Sequence, residues 1–349
     1  MGAGVGGLSA AVGLARAGWS VTVLERWPEV VGAGAGAALG LWPEAQSALA
    51  ELGLGPALDA VAVPYLGAAL RDPAGRRLTP LPLARIRRTT GRDVVLTSRV
   101  TLMRLLLDAA TQAGAIVRTD TAITDPAALA AEHDVVVGAD GLRSAVRAAY
   151  FPGAAAPRDA GFTAWRGWVA GETGCYGEMW GPGRLFGLTP MEPGRTNWYA
   201  AVRGEQPRPD AVTALRDLRA GYAGWAAPVP GVLAATDPAD LLQHRVFDLA
   251  PALPSYVSGN AVLLGDAAHA MTPMLGQGAC QAVVDGVALA RALTTTDDVA
   301  AGLHAYDAER RKATQRLVSA SARAARVSMA QRHLGARDVL LRAAAPLVG

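Results

Sequence analysis

Residues 2–18 read Gly2-Ala3-Gly4-Val5-Gly6-Gly7-Leu8-Ser9-Ala10-Ala11-Val12-Gly13-Leu14-Ala15-Arg16-Ala17-Gly18, and Val21-Thr22-Val23-Leu24-Glu25 follows. The order is a glycine turn, an alanine-rich helix over 8–17 stopped by Gly18, and a short β-branched strand. In Gly2-x-Gly4-x-x-Gly7 the missing side chains let a pyrophosphate approach the backbone, and the helix start supplies unpaired N–H groups. Glu25 closes the strand, where a carboxylate accepts from ribose hydroxyls. The pattern predicts a dinucleotide-binding unit. Such a unit has a strand ahead of its turn, yet the chain opens inside the turn. We therefore expect the gene product to start upstream, a valine codon having been read as Met1. An intact mass showing no extra N-terminal residues overturns that expectation.

Of 349 residues, 51% are hydrophobic and 18% charged, enough for a large core and for two domains or one with an insertion. Lys+Arg 33 against Asp+Glu 30 leaves +3, with no dense basic run, so nucleic-acid binding is not expected. Two cysteines, Cys175 and Cys280, exclude a disulfide scaffold and suit a reducing cytoplasm. No apolar run of membrane-spanning length and no charged leader is present. Lys312 is the only lysine, which excludes a lysine-bearing phosphate loop and makes Schiff-base chemistry unsuited to this chain. Anions must be met by arginine, backbone N–H groups or helix N-termini.

Further along, 43–52 and 102–113 read as helices, 63–97 as strands of another layer, and 134–138 as a buried strand. Between 151 and 255 the character changes: five of the eight tryptophans fall here, and 162–169, 185–189 and 197–202 read as strands. This predicts an antiparallel sheet inserted into an α/β domain. A buried strand returns at 261–264, then a helix over 279–293 and an arginine-rich helical tail over 299–341. The expected domains are a discontinuous nucleotide-binding domain (1–62, 98–150 and 256–349) and a β-sheet substrate domain (63–97 and 151–255).

Two more strand-end loops carry chemistry. Gly138-Ala139-Asp140-Gly141-Leu142-Arg143-Ser144-Ala145-Val146-Arg147 is read as a ligand-side turn whose Arg143 and Arg147 offer forks to phosphate, or as an ordinary Asp-Gly turn before a solvated helix. In Gly265-Asp266-Ala267-Ala268-His269-Ala270-Met271-Thr272-Pro273-Met274-Leu275-Gly276-Gln277-Gly278, Asp266 suits a polyol hydroxyl. Gly276 and Gly278 let backbone lie flat against a planar ligand, and the helix after Gly278 aims its positive end there. His269 reads as a capped loop residue, and no metal site is expected, since no second ligand stands at suitable spacing.

These three motifs, with Ser98-Arg99-x-x-Leu102-x-x-x-Leu106, resemble the FAD-dependent aromatic-ring hydroxylases, the single-component flavoprotein monooxygenases, nearest the salicylate, urate and zeaxanthin monooxygenase branch. The resemblance implies a Rossmann-like FAD-binding domain, its first strand truncated, with an inserted, mostly antiparallel substrate sheet and C-terminal helices. It implies Gly2, Gly4 and Gly7 at the FAD pyrophosphate, Glu25 and Arg26 at the adenosine ribose, and Arg99 along the phosphates and ribityl chain. Asp140 would support the flavin and the NAD(P)H approach, and Asp266 the ribityl or phosphate end. Pro273 would sit beside the reactive flavin carbon, and Gly276, Gln277 and Gly278 near the pyrimidine edge. The chain departs from the family pattern at Ala270 and Met274.

The implied reaction takes NADPH or NADH and O₂, and passes oxygen from a flavin hydroperoxide to a small aromatic or polycyclic substrate. The protein itself contributes orientation and a dry pocket. Substrate candidates are Trp165, Arg166, Trp168, Trp180, Phe186, Trp198, Tyr199 and Arg203, and His244 is a candidate base. Other readings are an FAD-dependent reductase or dehydrogenase without oxygen transfer, or a flavin-binding protein impaired by the missing strand. The expected assembly is a monomer or homodimer.

Overall fold

A computed structural model describes residues 1–32, 37–154, 156–207 and 210–348, and its fold is mixed α/β. The glycine turn leads into the helix Val5–Arg16. Strand Thr22–Leu24 pairs in parallel with Ile116–Arg118, and Val136–Gly138 in parallel with Ala261–Leu263. Between these two small sheets stand Met1 and Gly2. The Gly2 N–H donates to Leu24 O at 2.8 Å, the Met1 ammonium to Val137 O at 2.7 Å, and the Ala139 N–H to Met1 O at 2.9 Å. Among the described residues no strand precedes the helix.

Helix Val5–Arg16 packs against helix Gly278–Thr294 at a distance that only glycine permits. A Cβ on Gly286 would lie 2.6 Å from the Ala10 backbone nitrogen, and one on Gly13 would lie 2.5 Å from the Ala290 methyl. Glycine inside a helix is disfavoured by about 1 kcal/mol. Here that cost is offset by close helix contact over a core that includes Leu8, Val12, Cys280 and Val283.

The inserted sheet has seven strands in the order Leu242–Asp248, Arg158–Ala170, Arg195–Arg203, Arg184–Glu192, Gly177–Gly181, Ala69–Arg71 and Arg77–Pro80. All pairs are antiparallel except Gly177–Gly181 with Ala69–Arg71. Strands Val63–Pro64 and Val95–Ser98 join Ala38–Leu41 in a separate sheet. The 63–97 stretch also holds a helix, Leu83–Thr90, which strand-like patches in the sequence concealed. Asn197 stitches the two sheets together: its Oδ1 accepts the Ala38 N–H, and its Nδ2 donates to Thr189 Oγ1, both at 3.0 Å.

Strand alternation gives the large sheet two faces. One carries Trp165, Val169, Met179, Phe186, Leu188 and Trp198 against the helices Ala211–Tyr222 and Val229–Ala235. The other carries Phe162, Ala164, Leu185 and Ala201 against Ala325 and Met329, with Met274, Trp180 and Tyr199 alongside. The C-terminal helices are Val299–Ser328 and Leu334–Val348. No helix among the described residues is long and apolar enough to cross a membrane.

Candidate active site

The three loops converge as backbone, each held by a buried polar side chain. Glu25 is buried. Its Oε2 accepts the Ala3 N–H at 2.8 Å and its Oε1 the Trp27 N–H at 3.0 Å, so it shapes the glycine turn. Each oxygen keeps acceptor capacity for a hydroxyl. Arg26 is exposed and lies over the Trp27 ring, 5.7 Å from its centroid. Gly2 and Gly7 are tightly backed: a Cβ would lie 2.3 Å from Ala139 O and 2.0 Å from Gly2 O respectively. Gly4 faces open space, with nothing within 4 Å of a built Cβ. The first-turn amides of Val5–Arg16 have no carbonyl four residues back, so that space is edged by free donors.

In the second loop, Asp140 Oδ2 accepts the N–H groups of Ala145 and Val146, at 2.6 and 3.2 Å. Its Oδ1 is buried without a protein partner. The assignment of Arg147 to phosphate is corrected. Its guanidinium is buried, donating through Nη1 to Ala267 O at 2.8 Å and through Nη2 to Leu142 O at 2.6 Å. It ties the second loop to the third, and has no fork left for a ligand. Arg143 is exposed.

Asp285 fixes the third loop from beneath. It accepts the Gly265 N–H at 2.9 Å and the Arg310 Nε–H at 2.7 Å, and meets His269 Nε2 at 2.5 Å. Arg310 Nη2 continues to Gln281 Oε1 at 2.6 Å. Gly265 has φ 58 and ψ −141, a conformation closed to other residues, which turns the chain so that Asp266 faces the cleft.

Asp266 is reached by solvent at the start of the short helix Asp266–His269. Loss of hydration pushes its pKa up, against His269, Arg99 and Arg166. Burial and the like charge of Arg99 pull the Arg166 guanidinium down, against Tyr199 and Asp266. Arg99 is exposed at the start of helix Arg99–Gln112; its backbone N–H donates to Ala37 O at 3.0 Å, and its guanidinium makes no hydrogen bond or ion pair among the described residues. Thus Arg99, Arg166 and Asp266, from three distant segments, lie within electrostatic reach of one another. Pro273 is exposed at the head of the turn Pro273–Leu275, Gly276 is left-handed at φ 62, and Gly278 opens helix Gly278–Thr294 with nothing within 4 Å of a built Cβ. Gln277 is buried, with its Oε1 accepting from Gln281 at 3.2 Å. Open space at Gly4 and Gly278, free helix-start donors, the orphaned Asp140 Oδ1 and the free Arg99 fit an extended anionic dinucleotide with a flat ring.

Three substrate candidates are corrected. Trp165, Phe186 and Trp198 point to the helix-covered face of the sheet. Phe186 and Trp198 stack at 5.5 Å, and Trp198 lies over Gly167, 2.8 Å from a built Cβ. They are core. Arg166, Trp180 and Tyr199 hold the cleft side. Trp168 is covered by the Arg195 guanidinium, 4.5 Å from its ring centroid, and Arg203 donates to Met329 O at 3.2 Å. His244 sits on the edge strand, opposite Ala164. Sequence reasoning missed Glu178. Its Oε1 accepts the Tyr199 hydroxyl at 2.6 Å and its Oε2 the Trp180 indole N–H at 2.5 Å. The alternation in Gly177-Glu178-Met179-Trp180-Gly181 was the available signal. Cys280 donates to Gly40 O at 3.0 Å, and burial pushes its thiol up to about 12, so it is a packing residue.

The family described as "FAD binding domain" matches residues 1–157 and 231–321. The chain is 34% identical over 342 residues to the aurachin C monooxygenase/isomerase of Stigmatella aurantiaca, covering 92% of this chain and 87% of that protein. It is 34% identical over 331 residues to the FAD-dependent urate hydroxylase of Klebsiella pneumoniae, covering 89% and 84%. The crystal structure of Klebsiella pneumoniae HpxO with FAD and uric acid superposes with a TM-score of 0.88 at 29% identity, covering 99% of this chain and 93% of that one.

Proposed function

The chain belongs to the FAD binding domain family of flavoprotein monooxygenases, and on that premise we propose that it inserts one oxygen atom of O₂ into a small aromatic or polycyclic substrate, with NADPH or NADH as reductant. The observation that carries this reading is the convergence of the three loops, Gly2 backed against Ala139 and Arg147 tying Leu142 to Ala267, with Arg99, Arg166 and Asp266 in electrostatic reach of one another.

Bound FAD supplies the redox and oxygen-activating chemistry. Gly2, Gly4 and Gly7 and the first-turn amides after them take the pyrophosphate, and Arg99 supplies the mobile positive charge. Glu25, with Arg26 beside it, takes the adenosine ribose. Asp140 and Asp266 hold hydroxyls from the two strand-end loops. Pro273, Gly276, Gln277 and Gly278 form the bed for the ring, where the dipole of helix Gly278–Thr294 favours negative charge. Arg166, Trp180 and Tyr199 form the substrate wall, which excludes water from the reacting face. Residues 1–62, 98–150 and 256–349 act as the cofactor domain, and 63–97 and 151–255 as the substrate domain. Two free cysteines suit a cytoplasmic enzyme.

The test is the visible spectrum of the purified chain after incubation with FAD and desalting, followed by NAD(P)H oxidation and oxygen uptake against a panel of aromatic compounds. Retained flavin with substrate-dependent product containing ¹⁸O from ¹⁸O₂ is the expected result. Flavin reduction with no labelled product would make it a reductase.

A further inference from the structure

Glu178 is a half-buried carboxylate with no ion-pair partner among the described residues. Its hydrogen-bond partners there are two neutral donors, Tyr199 and Trp180. Withdrawing a carboxylate from water without a counter-charge is costly unless hydrogen-bond donors offset it. Indole N–H donates only, so Oε2 must accept, and each oxygen keeps a further lone pair. The geometry is held rigidly. The Tyr199 ring lies flat on Gly187, where a Cβ would come within 2.0 Å of it. Tyr199 and Trp180 pack beside Met274, on the loop that follows Pro273. Tyr65 lies in electrostatic reach of both Glu178 and Tyr199, edge-on to Tyr176 at 6.5 Å. Along the register Glu178 opposes Gly187, Gly187 opposes Tyr199 and Tyr199 opposes Arg166, so Glu178 shares one sheet face with Arg166. Burial raises its pKa, the two donors opposing. Arg166, opposite Tyr199 on the next strand, couples to Asp266 and to Tyr199.

Resting on the monooxygenase reading above, we propose that Glu178, oriented by Tyr199 and Trp180, is the specificity-determining hydrogen-bond acceptor for the substrate, and that the substrate class is an uncharged aromatic heterocycle presenting a ring N–H or ring hydroxyl. Carboxylate-bearing aromatics are disfavoured by like charge. A site built to accept from an N–H discriminates strongly against the analogue lacking it, because the buried acceptor is left unpaired.

The test is calorimetric titration of FAD-supplemented wild type and Glu178→Gln with three probes: 4-hydroxyquinoline, its N-methyl quinolone and salicylate. Wild type should bind the N–H probe at least about tenfold tighter than either other probe. Glu178→Gln, which removes the charge and keeps one carbonyl acceptor, should narrow the N–H over N-methyl preference severalfold and strengthen salicylate. Equal wild-type affinity for the N–H and N-methyl probes overturns the proposal, as does tighter binding of salicylate or an undiminished N–H preference in Glu178→Gln. The wild-type comparison decides if the variant fails to fold. Calorimetry reads probe binding independently of turnover, so absence of oxygen uptake overturns the monooxygenase reading alone.

Discussion

The imidazole of His269 and the carboxylate of Asp285 stand 2.5 Å apart in a site where their side chains are 1% and 0% exposed. Asp285 also takes Arg310 and the Gly265 N–H, so one buried carboxylate sets the loop that presents Asp266.

Asp285→Asn should be severely destabilising. It leaves Arg310 buried without its counter-charge, a loss of about 3–5 kcal/mol for a broken buried pair. Denaturant unfolding measures it. An effect under about 1 kcal/mol would mean that the network adds little to stability.

The same carboxylate sets an acid limit. Burial alone would raise its pKa, but His269, Arg310 and the Gly265 N–H outweigh burial and hold it below the ordinary value. The unfolded chain then binds the proton more tightly, so stability rises with pH. The contribution is complete above the unfolded carboxylate pKa of about 4 and is lost as pH falls through the lower folded value. In Asp285→Asn the acid limb of stability against pH should flatten.

Gly286→Ala should cost about 1–3 kcal/mol by overpacking, since its Cβ would press within 2.6 Å of the Ala10 backbone. Gly4→Ala meets open space, so it should leave stability nearly unchanged and weaken flavin retention. Thermal unfolding and spectral flavin stoichiometry separate the two effects.

Arg99→Ala and Arg147→Ala should diverge. The Arg99 guanidinium has no hydrogen-bond or ion-pair partner to lose among the described residues, so its removal should spare stability and weaken FAD binding about tenfold or more. Arg147 holds two buried carbonyls, so its removal should lower the unfolding midpoint whether or not FAD is present. Flavin titration and melting of both variants check this. Weak FAD binding by Arg147→Ala at unchanged stability would restore the phosphate reading.

Asp266→Asn should stabilise the cofactor-free protein at neutral pH. The folded pKa of Asp266 is raised, so the ionised carboxylate is disfavoured in the fold relative to the unfolded chain, and stability is lost as pH rises from the unfolded to the folded value. The same variant should retain less flavin. Melting temperatures against pH, with and without FAD, test both halves.

The sequence by itself determined the three loops, their order and the dinucleotide chemistry that they imply. Those requirements are local: a glycine where backbone must approach, a helix start just after it, an acid at a strand end. The same stretches did not reveal which side chains face the cleft. Strand period leaves two faces equal until something covers one, and here helices Ala211–Tyr222 and Val229–Ala235 cover the face of Trp165, Phe186 and Trp198. Arg147 was turned from ligand to strut by the distant Ala267 carbonyl. Glu178 became an oriented acceptor only when Tyr199, two strands away, reached it across Gly187. Tertiary structure decided these roles because burial, charge pairing and exposure depend on segments that meet only after folding.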